Sequence, residues 1–301
     1  MKKLFVVLGL LAFCFKSYAQ SGLDNILLKD LQIRQTFETT DGKFSPAQIQ
    51  ISIPDNGKSN YLIDAGLALK LDFLKLKSIT SYITGEYHYN TLINLPQNNY
   101  QFGYNLRWFE RSDNPNRNWR NIIIGNLKYI RDQVYSTNSF AAIANWTWYN
   151  KSRTGLQLNH PGYLAKGTDN FHYTYNLTPY LGAQYQQFFN SNTVFHSGSI
   201  IRPLVNVSGA IALNKKYDAD ASIKQPQKNI EFFADFIARY AMINTTNPER
   251  YTKRFKSGIN YYFINTSQVS VSIGGNYNLG SDPLHGLKDQ QYWQIAFQLQ
   301  I

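Results

Sequence analysis

The sequence predicts an all-β protein, a transmembrane antiparallel up-and-down β-barrel. Three observations support this: a two-residue hydrophobic period along most of the chain, an export signal, and no later apolar run of helical membrane length. The last twelve residues show the period most clearly, because Trp293, Ile295, Phe297, Leu299 and Ile301 alternate with mostly polar residues.

The N-terminus has the features of a secretory signal peptide. Two lysines are followed by an apolar core at 4–15, and small residues favour cleavage after Ala19. We therefore divide the chain into a signal peptide, 1–19, and a single barrel domain, 20–301. The sole cysteine lies inside the signal, so we expect neither a disulfide nor a cysteine-bound metal in the mature chain.

The composition fits a barrel and argues against nucleic-acid binding. Aromatic residues make up 15% of the chain, the mean hydropathy is -0.38 and the formal net charge is +11 at pH 7. A strand that alternates apolar outside with polar inside averages to such a modest hydropathy. The positive charge is not gathered into a basic block. A soluble β-sandwich or barrel would share much of this composition and is the alternative fold.

Fourteen segments are candidate strands, or twelve if the two weak N-terminal segments instead belong to a short periplasmic segment. Both numbers are even, as in single-chain bacterial barrels. Two later runs exceed the about 9–11 residues that a membrane strand needs, so we expect them to project beyond the bilayer or to bend at Pro179 and Pro203. The candidate strands are 26–37, 47–53, 61–73, 79–89, 100–108, 119–131, 140–148, 154–160, 171–185, 201–213, 230–242, 255–263, 269–279 and 293–301.

The signal peptide, the alternating strands and the aromatic C-terminal strand resemble those of outer-membrane β-barrel proteins of Gram-negative bacteria. Many such barrels end in Phe, whereas this chain ends in Ile301 with Phe297 four residues back. The resemblance implies insertion in the cell outer membrane, with outer-membrane lipid and lipopolysaccharide as partners. Other outer-membrane proteins are candidate partners, and nucleic acid is not expected.

The loop lengths conflict with the usual sidedness of such barrels. Periplasmic turns should be short and outer loops long. Counting back from a periplasmic C-terminus, however, places the long polar loop 214–227 on the periplasmic side. Either this loop is a periplasmic protrusion, or the strand count between 171 and 253 is wrong by one.

Charged residues on the polar faces of the strands are expected to face the lumen, because a charge facing lipid near the midplane costs about 2–4 kcal/mol. The tyrosines and tryptophans near strand ends are expected to form interfacial girdles. The lumen candidates are Asp64, Lys70, Asp72, Glu86, Arg107, Arg202, Glu231, Asp235, Arg239, Arg254 and Lys256. The girdle candidates are Trp108, Trp148, Tyr240, Tyr277 and Trp293.

The sequence offers no catalytic, cofactor-binding or metal-binding motif. No serine lies in a G-x-S-x-G pattern and no histidine pair has H-E-x-x-H spacing. Glu86 and His88 share one strand face, with Asp64, Lys70 and Asp72 of the preceding strand expected opposite them. This group is either a proton-shuttling cluster or a set of charge pairs on the lumen wall. We do not expect an enzyme.

Three functions remain open from the sequence. A mixed, mildly basic lumen predicts a porin-like channel for small solutes with a weak anion preference. The same charges, paired across a narrow lumen with bulky Phe233 and Ile237, would instead close it. The barrel would then be a structural or accessory subunit of an outer-membrane protein complex. A lipid hydrolase on the barrel wall is a third alternative.

Overall fold

The computed structural model describes residues 30–39, 46–52, 59–71, 78–111, 117–151, 156–165, 171–191, 196–215, 227–246, 250–265 and 269–301. The predicted signal peptide, the segment after it and Asp72 lie outside these residues. The strands are β1 (Leu31–Arg34), β2 (Ala47–Ser52), β3 (Asn60–Leu71), β4 (Ile79–Asn90), β5 (Gln97–Phe109), β6 (Trp119–Asp132), β7 (Thr137–Asn150), β8 (Gly162–Ala165), β9 (Phe171–Phe188), β10 (Gly198–Lys215), β11 (Gln227–Tyr240), β12 (Ile243–Asn244), β13 (Tyr251–Asn265), β14 (Ser270–Asp282) and β15 (Leu287–Gln300), with a short 3-10 helix at Pro283–His285.

Twelve strands form a closed antiparallel barrel. The wall consists of β2 to β7, then β9 to β11, then β13 to β15. Neighbours in this order are hydrogen-bonded, including β7 with β9 and β11 with β13, and β15 pairs back with β2 to close the ring. The short strands β8 and β12 extend the sheet beside β9 and β10. None of the helical stretches in the described part of the chain is long and apolar enough to cross a membrane.

The prediction of fourteen barrel strands is wrong. The alternative number, twelve, is right, but not because both N-terminal segments lie outside the barrel. The two weak N-terminal segments are not outside the barrel, because β1 and β2 lie end to end along β3 and together form one wall strand. The segment 154–160 is not a barrel strand, since its one described pairing is an isolated bridge from Leu158 to Asn150. Alternation over a few residues cannot distinguish such a segment from a strand.

Residues 30–34 and the C-terminus lie at one end of the barrel, which we call the terminal end, and the other end is called the opposite mouth. β10 ends and β11 begins at the terminal end, so no strand is miscounted there and the long polar loop leaves from the side of the C-terminus. The two long runs, β9 and β10, pair over 18 residues without a register shift, so Pro179 and Pro203 cause no bulge.

The barrel wall alternates between buried inward and exposed outward residues, as its pleat requires. In β11, Phe233 and Ile237 are buried inside the barrel, whereas Phe232 and Phe236 are exposed on its outer surface. β6 has apolar residues on both faces because its inward Ile122 packs in the lumen in a cluster with Tyr180. The lumen is therefore filled by apolar side chains near the terminal end.

Candidate functional site

A chain segment crosses the middle of the lumen between β1 and β2. The Phe37 N–H donates to Glu86 Oε1 at 3.2 Å. Two inward side-chain amides of the wall bind carbonyls of this segment. Asn105 Nδ2 donates to the Phe37 carbonyl at 2.7 Å, and Asn145 Nδ2 donates to the Glu38 carbonyl at 2.9 Å. Because the wall supplies partners for this backbone, residues 35–39 form a specific insert. We call these five residues the N-terminal plug.

A second insert enters from the opposite mouth. The turn 283–286, here called the mouth turn, folds into the barrel, where Leu284 is fully buried. Gln101 Nε2 donates to the Leu284 carbonyl at 2.8 Å and Gln97 Nε2 donates to the His285 carbonyl at 2.5 Å. Gly286 closes the turn with a φ of 70°, a left-handed conformation that suits glycine.

The two inserts meet at a buried cluster of charged side chains. His285 Nε2 of the mouth turn lies 3.4 Å from Glu38 Oε1 of the N-terminal plug. Lys128 Nζ donates to Glu38 Oε1 at 3.0 Å and to Glu86 Oε2 at 2.8 Å. The rings of His88 and His285 pack edge to face with centroids 4.4 Å apart. These contacts join the two inserts to β4 and β6.

Asp282, at the end of β14, connects this cluster to the basic side chains of β11 and β13. Its carboxylate lies 2.9 Å from His285 Nδ1, 3.1 Å from Arg239 Nη2 and 2.5 Å from Arg254 Nη1. Arg254 also pairs with Asp235 at 3.1 Å. The interior is thus a continuous network of opposite charges, as burial of charged groups requires.

Glu86, His88 and His285 are the described residues with the geometry of a metal site. Each offers one ligand atom, and these atoms lie within 4.8 Å of one another. Lys128 already places a positive charge 2.8 Å from Glu86 Oε2, and Asp64 lies 2.6 Å from His88 Nδ1. This arrangement is an ion-pair network, in which a dication would have to compete with the Lys128 ammonium.

The structure places ten of the eleven lumen candidates on the inward face, and the eleventh is Asp72. Lys70 lies at the rim of the terminal end, 3.9 Å from Asp30. Arg107 donates to the Thr39 carbonyl of the N-terminal plug at 3.5 Å. The other eight are buried or pair inside the lumen: Asp64, Glu86, Arg202, Glu231, Asp235, Arg239, Arg254 and Lys256.

The five girdle candidates do not share one position along the strands. Trp108 and Trp148 lie near the terminal end of β5 and β7, and Tyr240 is the last residue of β11 at the opposite mouth. Tyr277 and Trp293 pack against each other with ring centroids 5.0 Å apart, midway along β14 and β15.

Sequence reasoning missed three members of the charged cluster, namely Glu38, Asp282 and His285. Glu38 falls just after a weak strand pattern, and the other two lie in what the sequence marks as a polar loop. A carboxylate directly before a Pro-Leu-His-Gly turn was the available signal, but nothing local indicates that the turn folds inward.

Together these features define a class: a closed twelve-stranded antiparallel barrel whose lumen is filled by two chain inserts and a charge network. No family model matches the chain, and no curated protein matches it. Among solved structures, LpxR from Salmonella typhimurium superimposes with a TM-score of 0.37 and 11% sequence identity, covering 79% of this chain and 88% of that one.

Proposed function

We propose that this chain is an integral outer-membrane β-barrel that does not conduct through its lumen and serves as a structural or accessory subunit of an outer-membrane protein complex. Lipid and lipopolysaccharide would surround its wall. The proposal carries no enzymatic role, no cofactor and no nucleic-acid partner.

The outer wall supports membrane insertion. Its outward side chains are large and apolar on strands all around the ring, including Phe102 on β5, Ile211 on β10, Phe232 on β11 and Ile295 on β15. A soluble protein rarely exposes so large a continuous apolar surface. A bilayer would cover this surface, and the closed ring leaves few unpaired strand edges in lipid.

The contact between the N-terminal plug and the mouth turn is the observation that favours closure over a porin-like channel. Glu38 enters from the wall between β1 and β2, His285 enters from the opposite mouth, and the two side chains lie 3.4 Å apart inside the lumen. Around them, Lys128 and Glu86 are almost fully buried. An open aqueous pore needs continuous hydrated space, so the packing of these two inserts against each other supports closure.

Planar-bilayer recording tests closure. The wild-type protein should show background conductance. A quadruple variant with Phe37, Glu38, Leu284 and His285 changed to glycine should conduct, because it removes the side chains of both inserts at their meeting point. The matched control changes the outward Phe236 to alanine and should stay at background. A steady wild-type conductance of porin size would contradict the proposal and favour the porin-like alternative.

The accessory role needs a separate measurement. Outer membranes solubilised in mild detergent should contain this chain in an assembly larger than its own mass, stable through size separation. Recovery of the whole population as a single free chain would contradict the accessory role without affecting the conclusion about closure.

A further inference from the structure

A cavity of about 400 Å³ lies above the mouth turn, inside the opposite mouth. We call it the vestibule. Its walls combine apolar side chains, among them Leu95, Ile130 and Phe188, with the polar Gln186 and Arg202. This mixture of apolar walls and a few convergent polar groups is typical of small-molecule sites, which range over about 300–1,000 Å³.

Arg202 is a buried cation that lines the vestibule, and the charge of Asp282 acts on it from beyond ion-pair distance. The Arg202 side chain is 1% exposed, and Nη1 donates to the neutral Gln186 Oε1 at 3.2 Å. Its Nε has no acceptor. Among the described residues, no carboxylate lies within ion-pair distance of this guanidinium. A buried cation held by one neutral amide is costly unless an anion joins it.

The neighbouring Arg239 increases this excess of positive charge. Leu204 is opposite Arg239 in the β10–β11 register, so Arg202 and Arg239 are diagonal neighbours on the inward face. Arg239 shares the single carboxylate of Asp282 with Arg254. Its Nε and Nη1 also lack acceptors. Unsatisfied guanidinium N–H groups on two adjacent buried arginines indicate a missing oxyanion.

Two acidic residues line the vestibule, Asp132 and Asp289, and neither forms an ion pair with Arg202. Asp132 lines the cavity, but its Oδ1 accepts from the backbone N–H groups of Val134 and Tyr135 at 2.9 and 3.1 Å. Lys288 adds another cation at the rim, where its Nζ lies 4.4 Å from the Tyr135 ring centroid. Two cations and two carboxylates thus line the vestibule, and the N–H groups of the buried Arg202 are the part of this set left for the oxyanion of a ligand.

We propose that the vestibule binds a small amphipathic anion, whose carboxylate or phosphate head pairs with Arg202 and whose apolar body packs against Leu95, Ile130 and Phe188. A guanidinium fork suits either head because it donates two parallel hydrogen bonds to an oxyanion. The binding site does not depend on whether the barrel belongs to a complex. It opens at the opposite mouth, away from the C-terminus, so such a ligand enters from that side.

The test measures binding calorimetrically with the full mature chain in lipid nanodiscs. The probes are hexanoate, monohexyl phosphate and the uncharged hexanamide, which shares the six-carbon body. We expect at least one of the two anions to bind at least tenfold more tightly than hexanamide, and the tighter of the two identifies the head chemistry. Equal binding of all three probes would overturn the proposal.

Two variants separate Arg202 from a diffuse positive field. Arg202→Met should abolish the preference for the anions, whereas Lys288→Met should retain it within about threefold, because the half-buried Lys288 charge at the rim is partly screened by solvent. Equal losses in both variants, or an intact preference in Arg202→Met, would overturn the assignment.

A blocking variant covers the case in which Arg202→Met does not insert. Ser139 lines the same cavity, so Ser139→Phe fills the vestibule while leaving Arg202 in place. Loss of anion binding in Ser139→Phe supports the site. Binding at wild-type affinity in this variant would show that the anion binds elsewhere and would overturn the proposal.

Discussion

Replacement of Lys128 by methionine should destabilise the barrel more than any change to a rim charge. The Lys128 side chain is 1% exposed and its ammonium holds Glu38 at 3.0 Å and Glu86 at 2.8 Å. Methionine keeps most of the volume but leaves two buried carboxylates short of one cation. Removing one partner of a buried pair costs about 3–5 kcal/mol. With a urea m-value of about 3 kcal/mol/M, the unfolding midpoint should fall by about 1–2 M.

The assay is urea unfolding from lipid vesicles, followed by tryptophan fluorescence. The matched control is Arg117→Met, which breaks a 2.7 Å ion pair with Glu110 whose arginine side chain is 47% exposed. Such an exposed pair contributes about 0–1 kcal/mol. Adding Glu86→Gln to Lys128→Met should recover part of the loss, with a coupling energy of about 0.5–3 kcal/mol. If the free energies of unfolding of Lys128→Met and Arg117→Met lie within about 1 kcal/mol of each other, the Lys128 pairs are solvated like an exposed pair, which contradicts a dry lumen.

Three further predictions follow from the wall. Gly103→Ala should impair folding, because its Cβ would lie 2.4 Å from the Leu127 carbonyl, whereas Gly85→Ala meets no atom within 4 Å and should be silent in the same unfolding assay. Phe236→Arg should destabilise by about 2–4 kcal/mol, whereas Tyr251→Arg, outward at a strand end, should cost about 0–1 kcal/mol; the reverse order would contradict the assigned depths of these two residues. Brominated lipids should quench Trp293, midway along β15, at greater depth than a tryptophan at a strand end, and equal depths would instead support a common girdle.

The wall of the barrel could be predicted from sequence because each strand carries its own evidence. Alternation in 230–242 and 293–301 identifies inward and outward residues without knowledge of any neighbour. Alternation gave a false barrel strand at 154–160, where the described residues form only an isolated bridge. It was ambiguous for 119–131, where an apolar lumen makes both faces of the strand apolar.

The charged cluster could not be predicted in the same way, because its members meet through contacts between distant parts of the chain. Glu38 reaches Lys128 across 90 positions, and Gln97 holds the His285 carbonyl across 188. Whether a polar loop turns outward or into a barrel depends on such distant partners. A single sequence shows the polar residues of a loop but not the direction in which the loop folds.

The joint between the first and last wall strands has a consequence for assembly. In the described residues, β2 meets β15 through three residue pairs, and Ile33 and Ile301 exchange two backbone hydrogen bonds beside them. These contacts join residues far apart in the chain, so their loop-closure entropy favours late formation. The N-terminal plug connects the two halves of that closing strand. A seam that forms late would therefore place the plug in the lumen in the same step that closes the ring.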